Sequence, residues 1–438
     1  MTRHLRVLHS GNVANNGYLN AKLLRRAGVE ADALCDEWHI LSQPEWEDAP
    51  LEAVSDHQAP LPELAARVGW SRPPWVLTPN RWDPEGKTLS YGAERLRLAS
   101  QAPQLARTFR RLRGEYGSLR AILGTDLKYV DVLRAGAWRN RLESYFGALG
   151  PMHRRYDLVQ AYGIHPILLL LGEERPFLAF EHGTMRELPF EDDWYGRLLS
   201  LAYRKAAKVF ITNPDVIASA RRLELENYEF LPHPIDETKY TPGAGDLRRQ
   251  FEAEGFDFVA VAPSRHDWEI KGTDRMLRAF AELVHRDRPH ALLVLSEWGL
   301  ELDRSRALIA ELGFEANVRW VPPLPKLRLI DAYRSADVVL DQFEIGTFGA
   351  VAPEAMACGR PVVMAFDQAI HAWCMPVLPP VLNARTPEQI YAELRRLVDD
   401  DAAGEAAGRE GRQWIEAHHG WERVVRQQTA AYAELQPA

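Results

Sequence analysis

The chain has 438 residues, 46% of them apolar and 26% charged, with a formal net charge of -8. That length predicts two domains at about 100–200 residues each, and the composition is that of a soluble globular protein. The acidic balance argues against a nucleic-acid partner, which needs a basic footprint. The three cysteines, Cys35, Cys358 and Cys374, form no C-x-x-C pair. Reduced thiols in a cytoplasmic protein are therefore expected, with no zinc site. Met1–Ser10 lacks an apolar h-region, so no signal peptide is read. The longest apolar run, Ile167–Leu171, is far shorter than the ~20 residues of a membrane span.

Short apolar runs alternate with longer amphipathic ones, which predicts βα units and parallel sheets. Leu5–His9 reads as a strand, Ser10 to Gly17 as a polar loop, and a helix follows with Leu19, Leu23, Leu24 and Ala27 on one face and Gly28 as its stop. Ala31–Cys35 is the next strand. Residues 40–92 are rich in Pro, Trp and acids and show little period, so they read as an irregular insertion in the first domain. Helices are predicted over 93–114 and 130–148. Strands follow at Asp157–Tyr162, Pro176–Glu181, Lys208–Thr212 and Tyr228–Leu231. The prolines of His233-Pro234-Ile235-Asp236 and Thr241-Pro242-Gly243 predict an interdomain linker.

The second half begins the rhythm again. Strands are predicted at Asp257–Pro263, Ala291–Leu295, Val318–Val321, Val338–Asp341 and Pro361–Ala365. Helices are predicted at Thr273–Arg286, Asp303–Leu312, Lys326–Ser335 and from Pro353. The expected fold is α/β, with two facing doubly wound Rossmann-like domains. The first covers 1–235 and the second 243–415, and a terminal helix within 416–438 returns to the first domain by its apolar face of Trp421, Val424, Val425 and Tyr432.

In open parallel sheets, ligands bind at the carboxyl ends of strands, so the loops that follow strands are the places to search. One is Ser264-Arg265-His266-Asp267-Trp268-Glu269-Ile270-Lys271-Gly272. Arg265 offers a planar fork and Lys271 a mobile point charge, which together suit a diphosphate. A pair of solvated surface cations explains the same charges. The other loop runs from Phe343 through Gly346, Thr347, Phe348 and Gly349 to Glu354 and Val363. Its glycines let backbone approach a ligand. Glu354 reads either as an acid compensating the helix dipole or as a carboxylate accepting two ribose hydroxyls.

These two segments resemble the donor site of GT-B glycosyltransferases, most closely glycosyltransferase family 4. The family's "G-R-…-K-G-x-D-x-L-…-A-F" appears as Ser264-Arg265, Lys271-Gly272-Thr273-Asp274, Leu277 and Ala279-Phe280. Its "E-G-F-G-…-E-A-M-A-x-G-x-P-V-V" appears as Thr347-Phe348-Gly349, then Glu354-Ala355-Met356-Ala357-Cys358-Gly359-Arg360-Pro361-Val362-Val363. Ala336-Asp337-Val338 fits the family's "A-D-V" strand. The match covers about 260 to 365 well and the first half loosely. One departure stands out: the family's first glutamate falls at Gly346, and Glu344 lies two residues early.

The resemblance implies a nucleotide-sugar donor as substrate, no cofactor, metal-independent transfer with retained anomeric configuration, and an acceptor that the sequence does not identify. It assigns Arg265 and Lys271 to the diphosphate, Glu354 to the ribose, and Gly346, Thr347, Phe348 and Gly349 to the donor sugar, where backbone substitutes for the absent acid. Departure of the diphosphate builds up negative charge, and preorganised cations there are the largest catalytic lever. No carboxylate is nominated as a covalent nucleophile of the kind retaining glycosidases use.

In the first half, Phe180-Glu181-His182-Gly183-Thr184 sits where the family carries a histidine facing the donor sugar, so His182 is a catalytic candidate. Gly11, Asn16 and Gly17 lie in the first βα loop, where the family has a loop between donor and acceptor. Turn chemistry explains that loop almost as well. His165 reads as structural. The stretch Glu94–Arg155 is strongly basic and suits either an anionic membrane surface or a solvated helix pair. A polysaccharide-biosynthetic transferase is the main expectation. A nucleotide-sugar epimerase of the same fold and a catalytically silent nucleotide-sugar-binding subunit are the alternatives. The absence of a G-x-G-x-x-G after any strand argues against a dinucleotide dehydrogenase.

Overall fold

The computed structural model describes residues 5–36, 39–56, 59–78, 91–146, 149–172 and 176–435. Part of the predicted insertion, 79–90, and the side chains of Glu94, Arg95 and Arg97 lie outside the described residues. The chain divides into two compact units. Met1–Pro44, Arg72–Pro234 and Val424–Ala438 form the first; Glu45–Ser71 and Ile235–Arg423 form the second.

The first unit holds a 7-stranded sheet. Its strands are β1 (Arg6–Ser10), β2 (Glu30–Leu34), β3 (Val76–Leu77), β4 (Leu158–Tyr162), β5 (Leu178–Glu181), β6 (Lys208–Ile211) and β7 (Tyr228–Phe230). They lie in the order β3-β2-β1-β4-β5-β6-β7, and every pairing is parallel. The central strands are covered on both faces, as parallel sheets require: β4 is buried at every position. The second unit holds a 6-stranded sheet of β8 (Phe258–Ala262), β9 (Ala291–Ser296), β10 (Val318–Val321), β11 (Val338–Leu340), β12 (Val362–Met364) and β13 (Leu382–Asn383). Its order is β10-β9-β8-β11-β12-β13, again all parallel. The helix Thr273–Arg286 lays Met276, Leu277, Phe280, Leu283 and Val284 on the core with Ala260, Leu293 and Leu340. Its helical spacing is what made it legible in the sequence.

The expected α/β class with doubly wound parallel sheets holds in both units. Differences arise where local pattern is weak. β3 and β13 have two residues each, too few to show a period. The helix predicted over 93–114 runs from Tyr91 to Leu123 and passes through Pro103. The segment 45–71, read as an insertion in the first domain, groups with the second unit instead. Its short helix Pro44–Asp48 buries Trp46 and presents Glu47 to Lys239, with Glu47 Oε1 and Lys239 Nζ 2.6 Å apart. Asp48 is 3.3 Å from the same ammonium. A buried ion pair with a residue almost two hundred positions away leaves no trace in local periodicity.

The terminal helix Trp421–Glu434 crosses from the second unit into the first at Val424. Its attachment to the first unit is polar as well as apolar. Gln428 Nε2 donates to Asn20 Oδ1 (2.9 Å), Gln160 Nε2 donates to Gln428 Oε1 (3.2 Å), and the Tyr432 hydroxyl donates to Gln160 Oε1 (2.7 Å). The Tyr162 hydroxyl joins the same network through Asn20 (3.1 Å), Gln160 (2.6 Å) and His9 Nδ1 (2.8 Å). All of these side chains are buried. Burial pushes the His9 imidazole down to about 3, so it is neutral at physiological pH. Deleting one member strands the partners of the others. Gln428→Leu is expected to destabilise the protein by about 1–3 kcal/mol in urea unfolding, whereas the exposed neighbour Arg426→Ala should stay within about 0.5 kcal/mol.

Candidate donor site

In each sheet the strand order reverses direction once. The crevice at that reversal, outside the carboxyl ends of the two flanking strands, is where open α/β sheets bind ligands. In the second unit the reversal falls between β8 and β11. The loops leaving those two strands are the two segments singled out from the sequence. They touch: Phe343 N donates to Lys271 O at 2.7 Å, and a Cβ on Gly272 (φ +64) would lie 3.1 Å from the Phe343 carbonyl carbon. Glycine is required there both by its positive φ and by this close approach.

Asp341, at the end of β11, ties the crevice together. Its Oδ1 accepts from Ser264 Oγ (3.1 Å) and lies 3.9 Å from Lys271 Nζ, while its Oδ2 is buried without a hydrogen-bond partner. Lys271 is thus held loosely over the crevice. Arg265 folds back on its own loop, with Nε and Nη2 at 3.2 and 2.9 Å from Asp267 Oδ2. Asp267 in turn accepts from Ile270 N (2.9 Å), so the arginine is anchored to the turn that carries Lys271.

Glu354 lies in the first turn of the helix Val351–Ala357, which follows β11. It is buried, with Lys326 Nζ on Oε1 and the Tyr333 hydroxyl 3.1 Å from Oε2. Burial lifts this carboxyl above the usual carboxylate range; Lys326 pulls it back down, and Glu47 pushes it up. A buried, doubly bonded carboxylate of this kind is more than a solvated acid compensating a helix dipole.

Gly346 occupies the place of the absent glutamate for a backbone reason. Its φ is +75, and a Cβ would lie 3.2 Å from Asp367 N and Cβ and 2.8 Å from an Arg385 nitrogen. The turn is closed by Asp367 N donating to Gly346 O at 2.9 Å. Gly349 has open space where a Cβ would be. Thr347 is buried, with an unpartnered hydroxyl. Phe348 points inward: its ring packs edge-on against Phe366, Trp414 and His419, and its N–H is bonded by His371 Nε2 at 3.0 Å. Its side chain anchors the loop, which leaves the backbone and the Thr347 hydroxyl as the groups this stretch can offer a ligand.

In the first unit the reversal falls between β1 and β4. The loop after β1 is closed on itself. Asn12 Oδ1 accepts from Tyr18 N (2.7 Å), Asn12 Nδ2 donates to Asn15 Oδ1 (2.9 Å), and Asn16 Nδ2 donates to Val13 O (3.0 Å). A Cβ on Gly17 would sit 2.2 Å from Gly11 O, and one on Gly11 (φ +94) 2.9 Å from the His165 ring. Gly11 and Gly17 therefore shape the turn, and Asn16 spends its amide nitrogen on holding it. His165 bridges Ser10 Oγ and Asp36 Oδ2, each at 2.9 Å, which is the structural position read for it.

His182 follows β5, one strand beyond the reversal. Burial pushes its imidazole down to about 4, and Nε2 is buried without a hydrogen-bond partner. Glu181 beside it is fully buried and raised to about 7 by that burial. One oxygen of Glu181 accepts from Gly183 N and Met185 N, which fixes the turn after His182. Sequence reasoning missed Asp341, Lys326, Tyr333, Glu47 and Glu181. Asp341 and Glu181, acids at the ends of apolar strands, carried a local signal.

Known proteins resemble this chain in part of its second half and in its fold. Residues 246–370 match the family "Glycosyl transferases group 1". The chain is 32% identical over 213 residues to D-inositol 3-phosphate glycosyltransferase 1 of Catenulispora acidiphila, an overlap of 46% of this chain and 50% of that protein. It thus spans about half the length of that curated relative, and less of several others. Among solved structures, sucrose-phosphate synthase of Thermosynechococcus elongatus superposes with a TM-score of 0.62 at 17% identity, over 98% of this chain and 99% of that one. Anabaena HepE in complex with UDP-glucose gives 0.63 at 14% identity, over 98% and 100%. At such identities the likeness shows the fold, which is the GT-B arrangement of two Rossmann-like sheets. The second unit carries, over residues 246–370, a domain of the Glycosyl transferases group 1 family.

Proposed function

We propose that this chain is a glycosyltransferase that takes a sugar from a nucleotide-sugar donor and passes it to an acceptor with retention of configuration and without a metal or other cofactor. The observation that carries the reading is the crevice between β8 and β11, where Lys271 and the buried Glu354 stand on the two elements that flank the strand reversal. In this reading Lys271 and Arg265 stabilise charge on the departing diphosphate, a task suited to preorganised cations. Glu354 accepts the ribose hydroxyls, and backbone at Gly346–Gly349 meets the sugar. The unpartnered Nε2 of His182 supports a hydrogen bond from its neutral ring to a sugar or acceptor hydroxyl. Uridine nucleotides come first among donors, since HepE is solved with UDP-glucose. Inositol phosphates come first among acceptors, since the relatives carry that substrate in their names.

A peripheral contact with an anionic membrane surface belongs to the same proposal. Arg107, Arg110, Arg120, Lys128 and Arg134 are exposed and make no ion pair among the described residues. Exposed cations near a membrane surface attract anionic headgroups by about 1 kcal/mol each. Gly346 in place of an acid favours one second reading, a subunit that binds nucleotide sugar without turning it over. Labelled nucleotide sugars separate the possibilities: transfer or slow hydrolysis, epimer formation, or binding alone. The anomeric configuration of the product, read by NMR, tests retention.

Lys271→Ala and Arg265→Ala are each expected to lower kcat/KM by roughly 10²–10³ while the melting temperature is kept, because both sit in a loop. Near-normal turnover under saturating acceptor would remove them from the mechanism. Glu354→Gln is expected to weaken nucleoside diphosphate binding by about 1.5–3 kcal/mol in calorimetric titration. An acid that served only the helix dipole would instead show its effect in thermal stability, at below about 1 kcal/mol, with affinity unchanged.

A further inference from the structure

Lys326 opens the helix Lys326–Ser335 directly after Pro325. A cation in the first turn of a helix opposes the macrodipole, so its local sequence gives no reason for it. Tertiary structure does: its ammonium reaches Glu354 Oε1. Tyr333, seven residues later and so on the same helix face, places its hydroxyl 3.1 Å from the other oxygen, Oε2. One helix face thus grips both carboxylate oxygens. An ionised carboxylate has about four acceptor positions. With these two filled, one remains on each oxygen, which is the bite that a vicinal diol requires.

The surroundings explain why a lysine is needed. Glu47, from the helix Pro44–Asp48, is itself buried and close enough for its charge to act on Glu354. Lys239 is engaged by Glu47 and Asp48. Tyr333, Tyr240 and Cys358 also stand around Glu354, all uncharged at neutral pH because burial raises them, and the charge of Asp341 reaches Tyr333. Without Lys326, three acids in low dielectric would face one lysine, and the cheapest relief is a proton on a carboxyl. A protonated Glu354 has an O–H where one of the two hydroxyls must donate.

We propose that Lys326 is a positioning residue of the donor site: it holds the Glu354 carboxylate ionised and oriented so that both oxygens accept from the ribose diol. This rests on the reading of Glu354 as the ribose ligand. It also gives 45–71 a part in the site, since that segment supplies the acid that Lys326 offsets.

The test uses the full chain and whichever of UDP, GDP or ADP binds it best, with the matching 2′,3′-dideoxy nucleotide as control. Lys326→Met is expected to weaken the ribonucleotide about tenfold near neutral pH, and the deficit should shrink as pH rises, because deprotonation of Glu354 restores the acceptor. Lys326→Arg should retain affinity, and the dideoxy nucleotide should bind wild type and Lys326→Met alike. Lys326→Gln replaces Lys326→Met if the latter fails to fold. Unchanged affinity in Lys326→Met overturns the proposal. So does a deficit that is independent of pH and equal for the dideoxy nucleotide, which would mean that Lys326 touches phosphate. Wild-type affinity in Glu354→Gln would instead remove the ribose reading itself.

Discussion

A parallel strand cannot pass the chain to its neighbour through a tight turn; it needs a crossover, and crossovers in one sheet share one hand. All the loops that leave strands therefore collect on one edge of the sheet, and all the loops that enter strands collect on the other. In this protein that constraint operates twice. It gathers Ser264–Gly272 and Asp341–Gly349 at one crevice in the second unit, though about seventy positions separate them, and Ser10–Gly17 and Gly163–His165 at another in the first. The chemistry of each unit is then decided by what those few loops carry.

The two crevices use their loops differently. In the second unit the side chains remain available: Lys271 is held only at 3.9 Å from Asp341, Gly349 faces open space, and Glu354 keeps acceptor capacity on both oxygens. In the first, Asn12 and Asn15 bond each other, Asn16 bonds the backbone of Val13, and His165 links Ser10 to one oxygen of Asp36. A loop whose polar groups are already paired holds its shape but has little left for a ligand. Unsatisfied groups in the first unit stand at His9 and Asp36 and, one strand further on, at Glu181 and His182.

Charge burial is the costly feature of the design. Glu47, Glu354, Lys239 and Lys326 are drawn together away from water, and such pairs rarely add stability over apolar residues of the same shape. Their value lies in orientation and protonation state, which apolar packing cannot supply. The polar network of Asn20, Gln160, Tyr162, Gln428 and Tyr432 is comparable in the first unit. There a fully paired set of buried side chains gives the terminal helix one seat, where a purely apolar face would tolerate sliding.

Some of this was legible in the sequence alone, for a definite reason. β8, β9, β11 and β12 are buried on both faces and so survive in the order of residues as short apolar runs, the helix Thr273–Arg286 survives as a period of 3.6, and their ends fall within a residue or two of those predicted. The two donor loops stood out because each carries its charges and glycines within a short stretch. What tertiary structure decided is everything that joins distant positions through few residues. β3 and β13 are strands only because neighbours pair with them. Gly346 is a glycine because of Asp367 and Arg385, which come later in the chain. Phe348 faces inward because Trp414 and His419 are there to receive it. Segment 45–71 groups with the second unit, to which the ion pairs of Glu47 and Asp48 with Lys239 and of Glu52 with Arg328 tie it, and Lys326 is joined to Glu354 by one ion pair. A hydrogen bond or an ion pair needs two atoms and no repeating pattern, so it leaves no period in the sequence, whereas a buried face needs many residues and does.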